Sequence, residues 1–182
     1  MIASALMLAM QAAVPSAETL AAHPPMVSMP ATQPQRVAID PVEAIALFRA
    51  LCLPHLTDAG AFVVAVAGSG VPFTTVPSRD GGTGQTWRSD RALIRYGQSA
   101  DGATRCTLLA RTAKSVDQLS FSAKLAEALA LKTGRTRTGK GQGVTEWSAA
   151  GPEGRTVQIS AATRNAAGGA GMDIRLSAAL GK

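Results

Sequence analysis

Cys52 and Cys106 are the two cysteines of the chain, and thiols have more chemistry open to them than any other side chain present. One interpretation makes Cys52 a nucleophile with His55 as its base, but His55 follows Pro54 and no third residue is placed to orient it. The other interpretation is structural. Both cysteines lie at apolar-face positions, Cys52 of a predicted helix and Cys106 of a predicted strand, and in an exported protein such a pair predicts one disulfide.

A second cluster with chemical potential is basic. Lys132, Arg135, Arg137 and Lys140 occur with no acidic residue between Lys132 and Gly143. The stretch nearly matches the phosphate-binding loop G-x-x-x-x-G-K-[ST], but Gly141 stands where a hydroxyl is needed, and the predicted helix precedes the segment where the motif requires it to follow. We interpret the segment as a connector outside the helices and strands. It is either a solvated loop or the contact for an anionic envelope surface.

The remaining candidates favour structure over chemistry. Trp87 and Trp147 each border a predicted strand, and in a chain with 4% aromatic residues they are predicted to be packing anchors rather than stacking platforms. His23 lies among prolines, so two histidines and two paired cysteines leave no metal-ligand set. The carboxylates are scattered over separate elements, at Asp117, Glu127, Glu146, Glu153 and Asp173. We expect no cofactor and no nucleic-acid partner.

Three helices are predicted to position these residues. Asp40 and Pro41 form a start signal, and Ile45, Phe48 and Cys52 then follow at helical spacing until Pro54. The run from Ala59 to Ala67 is compatible with a strand or a helix, and we interpret it as a second helix. A third helix begins at the capping box Ser115-Val116-Asp117-Gln118, buries Leu119, Ala123, Ala126 and Leu129, and ends at Gly134.

Alternation of period two predicts five strands. They are Asp90 to Tyr96, Thr104 to Arg111, Val144 to Ala149, Arg155 to Ala162 and Met172 to Ala178, while Gly68 to Thr86 is predicted to be loop. Arg105 and Arg111 fall on the solvent side of their strand. The order α-α-β-β-α-β-β-β predicts an α+β fold, an antiparallel sheet of about five strands with helices on one face and one disulfide. No internal sequence repeat is visible.

The N-terminal residues predict export. Residues 1–17 combine an uncharged apolar run with small residues after it, as in a signal peptide, although no basic residue precedes the run. Residues 18–38 contain four prolines and are predicted to form a disordered linker. Residues 39–182 then form a single domain, so we expect a periplasmic or secreted protein without a transmembrane span.

Three features resemble a group of small, exported, uncharacterised bacterial proteins. They are Phe48-Arg49-Ala50-Leu51-Cys52 on a helix, Cys106-Thr107-Leu108 on a strand, and a capped helix followed by a terminal meander. The resemblance extends over roughly residues 40–180. It implies a periplasmic, disulfide-bonded domain and brings no activity and no catalytic residue with it.

The totals narrow the function without naming it. With 182 residues and 46% apolar residues, the chain suits one domain, and its formal net charge of +6 favours anionic partners. The hypothesis is a non-catalytic periplasmic protein that binds or accompanies an envelope component. The alternatives are a small hydrolase with a site assembled from loops, and an inhibitor or immunity-like partner of an exported enzyme.

Overall fold

The computed structural model describes residues 37–77, 83–99, 102–166 and 171–181, all within one compact unit, Gln33–Lys182. The predicted signal peptide and nearly all of the predicted linker lie outside the described residues. The helices are α1 (Pro41–Leu51), α2 (Ala59–Ala67) and α3 (Gln118–Ala128). The strands are β1 (Thr74–Val76), β2 (Gln85–Arg88), β3 (Ala92–Gln98), β4 (Thr104–Thr112), β5 (Arg135–Gly139), β6 (Gln142–Ala150), β7 (Thr156–Asn165) and β8 (Met172–Leu180).

The described strands form one antiparallel sheet in the order β1-β2-β3-β4-β8-β7-β6-β5. The α+β class and the disulfide are confirmed, but the sheet has eight strands, so the prediction of about five is wrong. The missed strands are β1, which lies inside the predicted loop, β2, whose first two residues lie in that loop, and β5, which lies inside the basic connector. All three are short, and β1 and β5 are the two edges, where few apolar side chains are needed.

The sheet consists of two four-stranded meanders joined at its centre, where β4 pairs with β8. One transverse row of paired residues is Thr75, Trp87, Ile94, Leu108, Leu176, Ala161, Thr145 and Thr136. From the central Leu108–Leu176 pair, one half of the row crosses β3, β2 and β1, and the other half crosses β7, β6 and β5. Because β4 and β8 are antiparallel, an approximate two-fold axis between them relates one meander to the other. The residues that it relates differ, for example Trp87 and Thr145, which is why the repeat is invisible in the sequence.

The three helices pack against the same face of the sheet. Asp40 caps α1 by accepting a hydrogen bond from the Val42 backbone N–H at 2.7 Å, as the start signal predicts. Ala59–Ala67 is helical, as interpreted, and its Phe62 ring packs against Trp87 and Tyr96. The core between the helices and the sheet is mostly apolar, and its fully buried members include Phe48, Phe121, Ile94, Leu108, Leu125, Ile174 and Leu176.

The third helix differs from the prediction at both ends and in its buried face. Its N-cap is Asp117, whose carboxylate accepts a hydrogen bond from Ser120, and it ends at Ala128 instead of Gly134. Leu119 is 61% exposed, so the predicted apolar face is wrong. The buried residues are Gln118, Phe121, Ser122 and Leu125. Two of them are polar, so no apolar period marks that face.

The disulfide Cys52–Cys106 joins the end of α1 to β4, with a Cα–Cα distance of 5.4 Å and a sequence separation of 54. Both side chains are fully buried. Closing a loop of this length stabilises the fold by about 4 kcal/mol in the chain-entropy model, which is a large share of the stability of an ordinary domain. Cys52 is therefore held in a covalent bond and is not a free, catalytic thiol in this structure.

We predict that Cys52→Ala and Cys106→Ala each lower the free energy of unfolding by about 4 kcal/mol, because either change opens the same loop. The double variant should lose little more than each single variant. Urea unfolding measures the three values, and thiol titration of the denatured, unreduced wild type should find no free thiol. Additive losses in the double variant, or two titrating thiols, would contradict a shared covalent constraint.

Candidate functional site

The four basic residues of the predicted connector lie at the β5 edge of the sheet. Arg135 and Arg137 belong to β5, while Lys132 precedes this strand and Lys140 lies in the turn to β6. The prediction that the segment lies outside every strand is therefore wrong, although all four residues are exposed, as expected. The error has a simple cause. The side chains that β5 directs toward the helices are Thr136 and Thr138, so no apolar alternation marks the strand.

The side of the sheet opposite the helices carries an unusual number of arginines. We call this side the open face; it contains the row Arg95, Thr107, Ser177 and Ser160 on β3, β4, β8 and β7. Since successive side chains of a strand point to opposite faces, the register assigns each strand residue to one side. Every arginine of the described strands falls on the open face: Arg88, Arg95, Arg105, Arg111, Arg135, Arg137, Arg164 and Arg175.

The open face has two carboxylates in the described strands, and both form ion pairs. Arg111 Nε lies 3.1 Å from Asp173 Oδ1, and Arg137 Nη2 lies 2.8 Å from Glu146 Oε2. In the part of the chain that the structure describes, five further arginines of this face have no carboxylate partner: Arg88, Arg105, Arg135, Arg164 and Arg175. The face is therefore strongly cationic.

The excess charge of the chain is concentrated on this face. Eight arginines and two carboxylates give it a net charge of +6, which equals the formal net charge of all 182 residues. The rest of the sequence has 18 − 8 = 10 basic and 12 − 2 = 10 acidic residues, and is neutral. A face on which positive charge outweighs negative charge to this extent attracts anions.

The middle of the open face is hollow. Side chains from β2 through to β6 line one cavity of about 1190 Å³, which a flat sheet would not form, so this face is concave. Two hydroxyl groups lie side by side in its lining, Thr107 and Ser177, with their oxygens 3.0 Å apart. Arg95, Arg105 and Arg175 belong to the lining. The hollow thus combines hydroxyl groups with guanidinium groups, which suits an anion.

A second group of polar side chains lies on the helix side, buried between α3 and the sheet. Gln118 Nε2 lies 2.8 Å from Ser122 Oγ, 3.0 Å from Thr145 Oγ1 and 3.0 Å from the Ala161 carbonyl oxygen. Thr163 Oγ1 donates to Gln118 Oε1 at 2.7 Å. The amide is therefore satisfied within the protein and is closed to solvent. This cluster holds α3 on the sheet and offers no ligand site.

The aromatic residues also belong to the helix side. Phe62 stacks on Tyr96 with 4.3 Å between ring centroids, and it meets Trp87 edge-on at 5.1 Å. Trp87 and Trp147 are buried, so the prediction that they are packing anchors is confirmed. The Tyr96 hydroxyl donates to the His55 carbonyl oxygen at 2.9 Å. Burial, with the nearby Asp58 charge as a smaller cause, raises the pKa of Tyr96 above its ordinary value.

Two further properties of the molecule bear on the kind of site. Within residues 37–77, 83–99, 102–166 and 171–181, no three His, Cys, Asp or Glu side chains are grouped so that they could hold a metal ion. No helix among the described residues is long and apolar enough to cross a membrane.

Comparison with protein-family models, curated proteins and solved structures finds no match to this chain. The interpretation of the candidate site therefore rests on the geometry and chemistry of the open face.

We predict that Gly143→Ala lowers the free energy of unfolding by about 1–3 kcal/mol, because a Cβ at Gly143 would lie 2.6 Å from Gln118 Cγ. In a Gln118→Gly background the same change should cost far less, since both crowding atoms of Gln118 are gone, Cγ at 2.6 Å and Cβ at 2.7 Å. A double-mutant cycle with urea unfolding measures this coupling. Equal costs of Gly143→Ala in both backgrounds would show that contact with Gln118 is not what requires glycine.

We predict that the chain's single tyrosine, Tyr96, titrates above 10.0 in the native protein and near 10 when unfolded. Since the folded state holds this proton more tightly, the stability is complete below pH 10 and falls as the pH rises through the folded pKa. Ultraviolet absorbance of the phenolate measures both titrations. Tyr96→Phe should remove this part of the alkaline loss, and an unchanged alkaline profile in that variant would contradict the assignment.

Proposed function

We propose that this protein is a non-catalytic periplasmic binding protein that holds an anionic component of the cell envelope on the open face of its sheet. The observation that carries the proposal is the net charge of +6 that the described strands place on one concave face. Exposed charge of one sign raises the local concentration of the opposite sign and steers association. A concave face strengthens such binding, because a bound group can contact side chains from several strands at once.

The chemistry of the face supports binding over catalysis. Hydroxyls such as Thr107 and Ser177 become nucleophiles only beside a base. The two carboxylates that the described strands place on this face, Glu146 and Asp173, are ion-paired to arginines, and these strands carry no histidine. The described part of the face therefore has donors of hydrogen bonds and positive charge, which are the means of holding an anion.

The same face also limits the kind of anion. The described strands direct no aromatic side chain to this face, since Trp87, Tyr96 and Trp147 all point to the helix side. Nucleobases and sugar rings are usually bound by stacking on aromatic rings. The face therefore favours a ligand that is recognised through charged substituents over single-stranded nucleic acid, whose bases are bound by stacking.

Two features support the envelope as the location. A buried disulfide is typical of proteins from oxidising compartments, and Cys52–Cys106 is fully buried. The apolar run at residues 1–17 and the resemblance to exported bacterial proteins lead to the same compartment. The periplasm is also where phosphate-bearing glycolipids and phospholipid headgroups meet small soluble proteins.

We predict that Arg105→Gln, Arg164→Gln and Arg175→Gln together weaken binding to purified lipopolysaccharide by at least about tenfold, because three unpaired cations of the face are lost. Replacing Lys132, Arg135, Arg137 and Lys140 by Gln should weaken it less, since two of these four lie off the face. Fluorescence anisotropy at low and physiological ionic strength measures both, and binding should fall with salt.

The matched control removes three charges from outside the open face, with Arg49→Gln, Lys114→Gln and Lys124→Gln. All three side chains are exposed, and this variant has the same net charge as the face variant. The control should bind lipopolysaccharide like the wild type. If the control and the face variant lose affinity equally, net charge rather than the open face governs the contact. Wild-type protein that fails to bind at low salt refutes the proposal.

A further inference from the structure

The centre of the open face carries a repeated three-residue pattern. Arg105-Cys106-Thr107 on β4 and Arg175-Leu176-Ser177 on β8 both read Arg-x-hydroxyl. The register pairs Thr107 with Ser177, so a local two-fold axis through this pair relates Arg105 to Arg175. The two arginines therefore lie at opposite corners of one hydroxyl pair, in the lining of the 1190 Å³ hollow.

The spacing allows both arginines to reach one ligand. Arg175 pairs with Leu109, which lies four positions along β4 from Arg105. The rise along the strand and the distance between neighbouring strands then place the Cα atoms of Arg105 and Arg175 about 14 Å apart. Two arginine side chains that rise from the sheet and converge above the hydroxyl pair can both reach one small anion. Both are exposed and neither has a carboxylate partner among the described residues, so no ion pair must be broken first.

The hydroxyl pair completes the donor set. Each hydroxyl has one hydrogen, and one of the two hydrogens is used in the 3.0 Å bond between Thr107 and Ser177. The other is left to donate upward into the hollow. Ser160 pairs with Ser177 on the next strand, and it adds a third hydroxyl to the same row.

We propose that Arg105, Thr107, Arg175 and Ser177 form a phosphate clamp, a site for a phosphate monoester group. This proposal rests on the proposed function and specifies the chemical group that the open face would bind. A guanidinium fork binds two oxygens of an oxyanion in its plane. A carboxylate offers only two oxygens, which one fork satisfies, whereas a terminal phosphate offers three and can accept two forks from opposite sides together with a hydroxyl. The geometry of the clamp thus favours phosphate over carboxylate.

The source of the phosphate is either free inorganic phosphate or a phosphate monoester on a lipid headgroup. Two probes separate these sources. Isothermal titration calorimetry with inorganic phosphate measures the free anion, with acetate as the carboxylate comparison. Sedimentation with phosphatidylcholine vesicles measures the lipid, where phosphatidic acid supplies phosphate and cholesteryl hemisuccinate supplies carboxylate at the same surface charge. Phosphate selectivity in calorimetry alone assigns the clamp to the free anion, and added selectivity in sedimentation assigns it to the headgroup.

The decisive variant is Arg105→Lys with Arg175→Lys, which keeps both charges and removes both forks. We expect it to weaken phosphate binding by about tenfold, because a lysine presents one point charge instead of a planar pair of donors. Thr107→Val with Ser177→Ala should also weaken phosphate binding. The matched control is Arg49→Lys with Arg91→Lys, since both lie outside the strands of the open face and outside the lining of the hollow. It should leave phosphate affinity unchanged.

Three outcomes overturn the clamp: wild-type protein that binds acetate as tightly as phosphate, equal loss in the fork and control variants, and absence of phosphate binding. In each case the lipopolysaccharide assay shows separately whether the proposed function also fails. If lipopolysaccharide binding still depends on the three open-face arginines while phosphate shows no preference, the face binds its partner by charge alone and only the clamp fails. If both assays fail, the proposed function fails with it.

Discussion

The antiparallel pairing of β4 with β8 is the contact on which the other parts depend. Nine residue pairs, from Thr104↔Leu180 to Thr112↔Met172, join the two meanders into one sheet. Because adjacent side chains point to opposite faces, β4 directs Cys106 toward the helices and Arg105 away from them. A slip of one residue would reverse every such assignment and bury guanidinium groups. The Cys52–Cys106 disulfide opposes that slip for β4, so it fixes which side chains form the open face as well as the position of α1.

The long strands could be predicted from sequence because one side of each must be apolar. In β4, Cys106, Leu108 and Ala110 alternate with polar or half-exposed residues, and this pattern is visible in the order of the amino acids alone. The edge strand β5 could not be predicted in the same way. Its Thr136 meets Thr145 at 3.0 Å instead of entering an apolar layer, so nothing in its composition distinguishes it from a loop. The pairing partner, which is non-local information, defines that strand.

The candidate site illustrates a second limit. That Arg105 lies on the solvent side of its strand follows from alternation alone. That Arg105 meets Arg175 across a hydroxyl pair requires the sheet order, because Thr107 and Ser177 are 70 residues apart. The helix α3 was predicted incorrectly for a related reason. Gln118 and Ser122 are buried because hydrogen-bond partners come from β6 and β7, and the sequence of the helix alone shows no such partners.

The choice of cation on the open face separates recognition of a ligand from mere solubility. Lysine and arginine serve equally well to keep a sheet surface soluble and to protect its edges from pairing with other chains. Yet the described strands contain eight arginines and no lysine, while Lys114, Lys124, Lys132 and Lys140 all lie in helices or connections. Solubility alone does not account for this separation. A planar guanidinium differs from an ammonium in its paired donors and its weaker hydration, and both properties favour direct contact with an oxyanion, as in the Arg111–Asp173 and Arg137–Glu146 pairs. The proposed binding of an anion accounts for the choice of arginine at the remaining positions of this face.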